Sequence, residues 1–196
     1  TTHNGIVSGT FYVEVEDVGK VMVKLTDEEV GSGKTVEDLC TAISNGANQY
    51  VQNEDNEWVA LGDGNQVFKA YLSTEDDETT NGRLIFKGDE IETTVSISGD
   101  ETTITTTTKK ANGTTATATT TRAKLDTDVA GTTTEYASLE FTSGTSNFVA
   151  ATSISSADQN NDGTYYSKIL NYTATITQMD DITSDTSRQY ESFSIG

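Results

Sequence analysis

The chain has 196 residues, with 12 Lys and Arg against 31 Asp and Glu for a formal charge of −19, and it holds no proline, one His and one Cys. That acidity repels phosphate backbones and anionic headgroups and so argues against nucleic acid and membrane surfaces as partners, while a lone Cys rules out a disulfide-stapled mini-domain. No apolar run approaches the roughly 18 residues of a membrane span, and the scarcity of His and Cys removes the usual stock of nucleophiles, bases and metal ligands.

Hydrophobic residues make up 33% of the chain, low for a globular domain, yet Val, Ile, Leu, Phe and Tyr recur in short runs to the end. This composition predicts a folded protein with a wide polar surface. The first runs alternate with period two: Thr10 to Glu16 and Lys20 to Leu25 interleave apolar and charged residues around Asp17-Val18-Gly19, which predicts a β-hairpin with one buried face. Thr35 is then a good N-cap with Asp38 three residues on, and Val36, Leu39, Cys40 and Ile43 form one apolar stripe. The pattern predicts a helix over about 36–45, stopped by a left-handed Asn45-Gly46 and packed on a sheet.

From Gln49 onward the reading is strand after strand: 49–52, 57–61, 66–73, 83–87, 91–97, 102–109, 114–124, 133–142, 147–154 and 165–179, separated by Gly, Asn and Asp clusters such as Gly62-Asp63-Gly64, Asn81-Gly82, Gly99-Asp100 and Asn112-Gly113. The segment 101–121 is almost all Thr and Ala, which favours the pleated backbone, so a two-sided polar hairpin is expected to project from the body or lie at its edge. Asn112-Gly113 would be its tip, with Lys109 and Lys110 beside it blunting edge pairing. The fold class is mainly β, an antiparallel sandwich or barrel with one short α-helix packed on a sheet. A single domain over 1–196 is expected, with Gly99 the one place to divide it into 1–98 and 99–196.

Catalytic chemistry finds little support. Nucleophilic catalysis needs an activating base, and the only imidazole, His3, lies near the first residue. Cys40 faces the predicted core as a small hydrophobe. Carboxylates abound, but nothing singles out a pair for glycoside hydrolysis. Asp158, Asn160 and Asp162 with Gly163 have the Asp-x-Asn-x-Asp-Gly spacing of a calcium loop, although Ile169 stands where the bidentate Glu would be and the flanks read as strands; an ordinary Asn/Asp turn is the competing reading. No other cofactor is expected. Trp58, Tyr165, Tyr166 and Tyr172 form either a sugar-binding aromatic platform or cross-strand packing.

Three segments taken together, the hairpin from Phe11 to Leu25, the run Thr35-Val36-Glu37-Asp38-Leu39-Cys40-Thr41-Ala42-Ile43-Ser44-Asn45, and Asn81-Gly82-Arg83-Leu84-Ile85-Phe86, resemble the outer-domain inserts of bacterial flagellar axial proteins. In that family a hairpin is followed by a short helix reading T-x-x-D-L-x-x-A-I-N and then by strands with an N-G-x-L-x-F turn; here Ser44 stands in place of the helix-ending Asn. The long heptad helices that build the family's tubular core are not in this sequence, so the resemblance implies an outer domain of a hook protein or, next, a flagellin. It also implies a non-enzymatic structural role in motility, an extracellular location on the flagellum or cell surface, and other copies of the same protein as partners in a helical assembly, the isolated fragment being monomeric. A surface adhesin or carbohydrate-binding β-sandwich, stabilised by calcium, is the alternative from a different class.

Overall fold

A computed structural model describes residues 5–31, 33–73 and 82–168. The first hairpin forms as its alternation predicts. β1 (Gly9–Val15) and β2 (Gly19–Leu25) pair from Gly9↔Leu25 to Val15↔Gly19, burying Phe11, Val13, Val15, Val21, Val23 and Leu25 on one face. With β3 (Gln49–Gln52), β4 (Trp58–Ala60) and β11 (Leu139–Ser143) they build a five-stranded antiparallel sheet in the order β11-β1-β2-β3-β4. Opposite lies a three-stranded sheet, β12-β6-β5, made of β5 (Lys69–Leu72), β6 (Leu84–Lys87) and β12 (Tyr165–Tyr166).

The helix α1 (Val36–Ile43) sits against β5 and β2. Its start is a full capping box: the Asp38 N–H donates to Thr35 Oγ1 at 3.0 Å and the Thr35 N–H to Asp38 Oδ2 at 2.9 Å, with Val36, Leu39, Cys40, Ala42 and Ile43 buried. The end differs from the expected left-handed stop. Ser44 closes the helix in an ordinary right-handed conformation, and Asn45 is extended and caps a 3₁₀ turn over Gly46–Asn48. Gly46 is needed for close approach, because a Cβ there would lie 1.9 Å from the Gly62 carbonyl oxygen.

Aromatic rings tie the layers together. Phe86 on β6 meets Phe141 edge-on at 5.1 Å and Phe148 at 6.0 Å, and Phe148 stacks on Phe11 of β1 at 4.5 Å. Phe148 belongs to a second short helix, α2 (Phe148–Thr152), where the sequence pattern predicts a strand over 147–154. Phe148, Val149 and Thr152 are its buried residues, a spacing of one and four that fits a helical turn and not period two. Ser153, in the left-handed region at φ 56°, ends it.

The remaining strands stand apart from this core. β7 (Glu90–Ser98), β8 (Glu101–Lys109), β9 (Thr115–Ala123) and β10 (Gly131–Tyr136) form a separate antiparallel sheet in the order β10-β7-β8-β9. Three hairpin-connected strands with a fourth returning beside the first make a Greek key. No residue of this sheet belongs to the hydrophobic core cluster. The chain leaves the body after β6 and re-enters it at β11, and the Ala137 N–H donates to the Asp89 carbonyl at 3.0 Å where the two crossings meet. The expected strand over 133–142 is therefore two strands in two sheets. Gly99 is a hairpin turn between β7 and β8, so a boundary there would cut a paired hairpin.

Candidate interaction surface

Of the residues singled out for chemistry, His3 and Tyr172 lie outside the described residues. Cys40 is 5% exposed, and burial, helped by the neighbouring Glu37 charge, pushes its thiol up to about 12. Such a thiol is protonated at neutral pH and is no nucleophile. A groove of about 520 Å³ runs between α1 and β5, with Glu37, Ser44, Asp63, Gln66 and Tyr71 on its walls. Ser44 bridges it to the strand: its hydroxyl donates to the Ala70 carbonyl at 2.9 Å and accepts from the Ala70 N–H at 2.8 Å.

The Asp158–Thr164 segment folds as a turn closed on itself. The Asn160 N–H donates to the Thr164 carbonyl and the Gly163 N–H to the Asn160 carbonyl, with Gly163 at φ 86°. Asp162 Oδ1 accepts from the Thr164 N–H and hydroxyl, while the Asn160 side chain donates through Nδ2 to the Thr164 carbonyl and hydroxyl oxygens. Burial raises the Asp162 carboxyl, but the Thr164 hydroxyl and N–H and the Lys87 charge outweigh it, and the net shift is downward. Lys110 to Thr114 repeats the arrangement, with the Lys110 and Gly113 N–H groups making the same pair of bonds and Asn112 Oδ1 accepting from Thr114. The two loops share Asx-Gly-Thr, and this turn chemistry engages the Asn160 and Asp162 side chains, while Asp158 lies outside the turn on the wall of a shallow groove with Arg83, Tyr166 and Lys168. Among the described residues no group of three or more His, Cys, Asp or Glu is placed to hold a metal ion.

The aromatics do not meet on one platform. Trp58 is on β4 of the five-stranded sheet, half-buried against Tyr12 at 5.9 Å. Tyr165 belongs to the other sheet and is buried, its ring edge-on to Phe141 and its hydroxyl accepting from the Leu139 N–H at 2.9 Å. Tyr166 lies beneath the Arg83 guanidinium at 5.9 Å.

What the fold builds outward is the four-stranded sheet. The sequence points to Asn112-Gly113 as its tip, but that turn is its root: Asn112 Nδ2 donates to the Gly64 carbonyl at 3.0 Å, the Ala111 N–H donates to Asp89 Oδ1 at 2.9 Å, and Ala111 is buried. The outer end is Gly99-Asp100 with the crossing loop 124–130. One face carries rows of threonine, the fullest running Thr132, Thr94, Thr105 and Thr119 across all four strands, with hydroxyl pairs at 3.1 Å between Thr94 and Thr132 and 3.4 Å between Thr105 and Thr119. Strand alternation puts half-buried Ile91, Val95, Ile97 and Ile104 on the other face.

A polar clasp closes the outer end of that second face. Arg122 grips Asp128 with two bonds of 2.8 Å, and the same carboxylate accepts from the Thr102 hydroxyl at 2.7 Å and the Leu125 N–H at 2.8 Å. The Arg122 guanidinium first, then the Leu125 N–H and the Thr102 hydroxyl, hold the Asp128 carboxyl well below the usual carboxylate range. Sequence reasoning passed over this clasp, because its members are separated along the chain and only the strand register joins Thr102 to Arg122.

No protein-family model matches the chain, and no curated protein or solved structure matches it.

Proposed function

We propose that this chain is an outer structural domain of a bacterial flagellar hook or filament subunit, exposed on the outside of a helical tube of identical copies and without catalytic activity. The observation that carries the reading is the inserted sheet: residues 90–136 build four strands that add surface and no core. Chain invested this way serves contact more than stability, as a subunit facing its neighbours requires. The helix on which the resemblance rests supports it further, since the Asp-Leu-x-x-Ala-Ile run owes its form to the Thr35–Asp38 box and to buried Leu39, Ala42 and Ile43.

Immunogold electron microscopy with an antibody raised against this domain tests the proposal on cells and on sheared appendages. Regular labelling along a hook or filament is the expected result. Labelling confined to a non-filamentous envelope overturns it, and a positive glycan array would then favour the adhesin alternative.

A further inference from the structure

The projecting sheet ends in two open edges. Among the described residues β9 pairs with β8 alone and β10 with β7 alone, so each strand turns one row of backbone N–H and C=O groups outward. Natural edges are usually blunted by Pro, by charge or by a bulge. β9 has none of these from Thr115 to Thr121: it is Thr and Ala only, wholly exposed, and in unbroken register with β8.

The sheet has an even number of antiparallel strands, so its two edges run in opposite directions. A second copy displaced sideways therefore brings its β10 antiparallel to the first copy's β9. The levels match as well. Gly131 pairs with Val95, Val95 with Ile104 and Ile104 with Thr120, which puts Gly131 and Thr120 at one height; Tyr136 and Thr115 share another through Glu90 and Lys109. A sideways shift then sets Thr119 opposite Thr132 and Thr117 opposite Thr134 of the next copy, and the threonine row continues across the joint.

Charge selects this arrangement over its rival. With Arg122 and Asp128 neutralising each other and Lys109 beside Glu90, residues 101–124 keep Lys110 and Lys124 against Glu101, whereas 125–136 keep Asp126 and Glu135 and no cation. A β9-to-β9 pair about a two-fold axis at Thr119 would instead place Lys124 opposite Thr114, the turn partner of Lys110, and so crowd like charges. We propose that copies of this chain add head to tail through their projecting sheets, β9 of one pairing antiparallel with β10 of the next. The contact does not close on itself, so it propagates, at roughly 19 Å per copy for four strands. The inference goes beyond the proposed function, since edge addition needs no flagellar context.

Single variants Thr117→Cys and Thr134→Cys of the full chain test it, mixed at millimolar concentration under mild oxidation; Cys40 is buried and does not compete. The expected result is a disulfide-linked dimer in the mixture at least tenfold more abundant than in either variant alone, lost when Thr119→Lys is added to the Thr117→Cys chain. Efficient linking of Thr119→Cys with itself overturns the proposal in favour of the two-fold pair. Absence of any link also overturns it. Neither result bears on where antibody labels the cell, so the two proposals fail independently.

Discussion

Single side chains show how burial and geometry override residue type. Cys40 is the one thiol in the chain, and its raised pKa and burial predict that native protein at pH 8 resists Ellman's reagent, while one equivalent reacts at once in guanidinium. Fast labelling of the folded chain would contradict the packing of α1. Asp128 gives a pH prediction. Its native pKa is lowered from an unfolded value near 4, so the clasp contributes fully above that value, and the contribution is lost as pH falls toward the native pKa, because the unfolded chain takes up the proton first. Asp128→Asn should therefore open the inserted sheet more readily than in the parent protein at pH 7, read as faster amide hydrogen exchange in β8 and β9, with the difference vanishing towards pH 2. Other residues were opaque to sequence. Gln49 is fully buried, with its Nε2 donating to the Ile43 and Phe68 carbonyls and its Oε1 accepting from the Val67 N–H. Nothing local marks it, since its three partners come from the last residue of α1 and from the segment 67–68, which only the fold brings together.

Among elements, those whose pattern repeats were legible. The β1–β2 hairpin, the capped α1 and the strands β3 to β9 follow period two, the capping box and the turn residues, all local signals. The failures have a common cause: placement by partners distant in sequence. Phe148 and Val149 read as strand, yet α2 turns both inward because Phe11 and Phe86 supply rings for Phe148. Likewise Asn112-Gly113 is legible as a turn, but which end of a hairpin faces the body depends on partners such as Asp89 and Gly64, far away in sequence. The ring cluster also gives a stability prediction. Phe86→Ala removes the side chain that touches Phe68, Phe141 and Phe148 and should cost about 3–5 kcal/mol, read as a lowered urea midpoint with intact surface turns.

At the scale of the whole molecule the body and its inserted sheet are unequal partners. The core lies between the five- and three-stranded sheets with α1 and α2, whereas the inserted sheet relies on backbone ladders, hydroxyl pairs, the half-buried face of Ile91, Val95, Ile97 and Ile104, and one clasp. Replacing residues 91–135 with Asn-Gly should leave the body folded, since Glu90 and Tyr136 are already directly opposite and a two-residue type I′ turn joins such a pair. Near-unchanged cooperative melting of the shortened chain checks this; loss of folding would show that the insert carries hidden stability.

Because the two crossings at Asp89 and Ala137 touch, the insert works as a cassette. A change of length or sequence between them leaves the framework's own strand pairing and core untouched, so a foreign loop or tag placed in the sheet would carry little risk to the folding of the body.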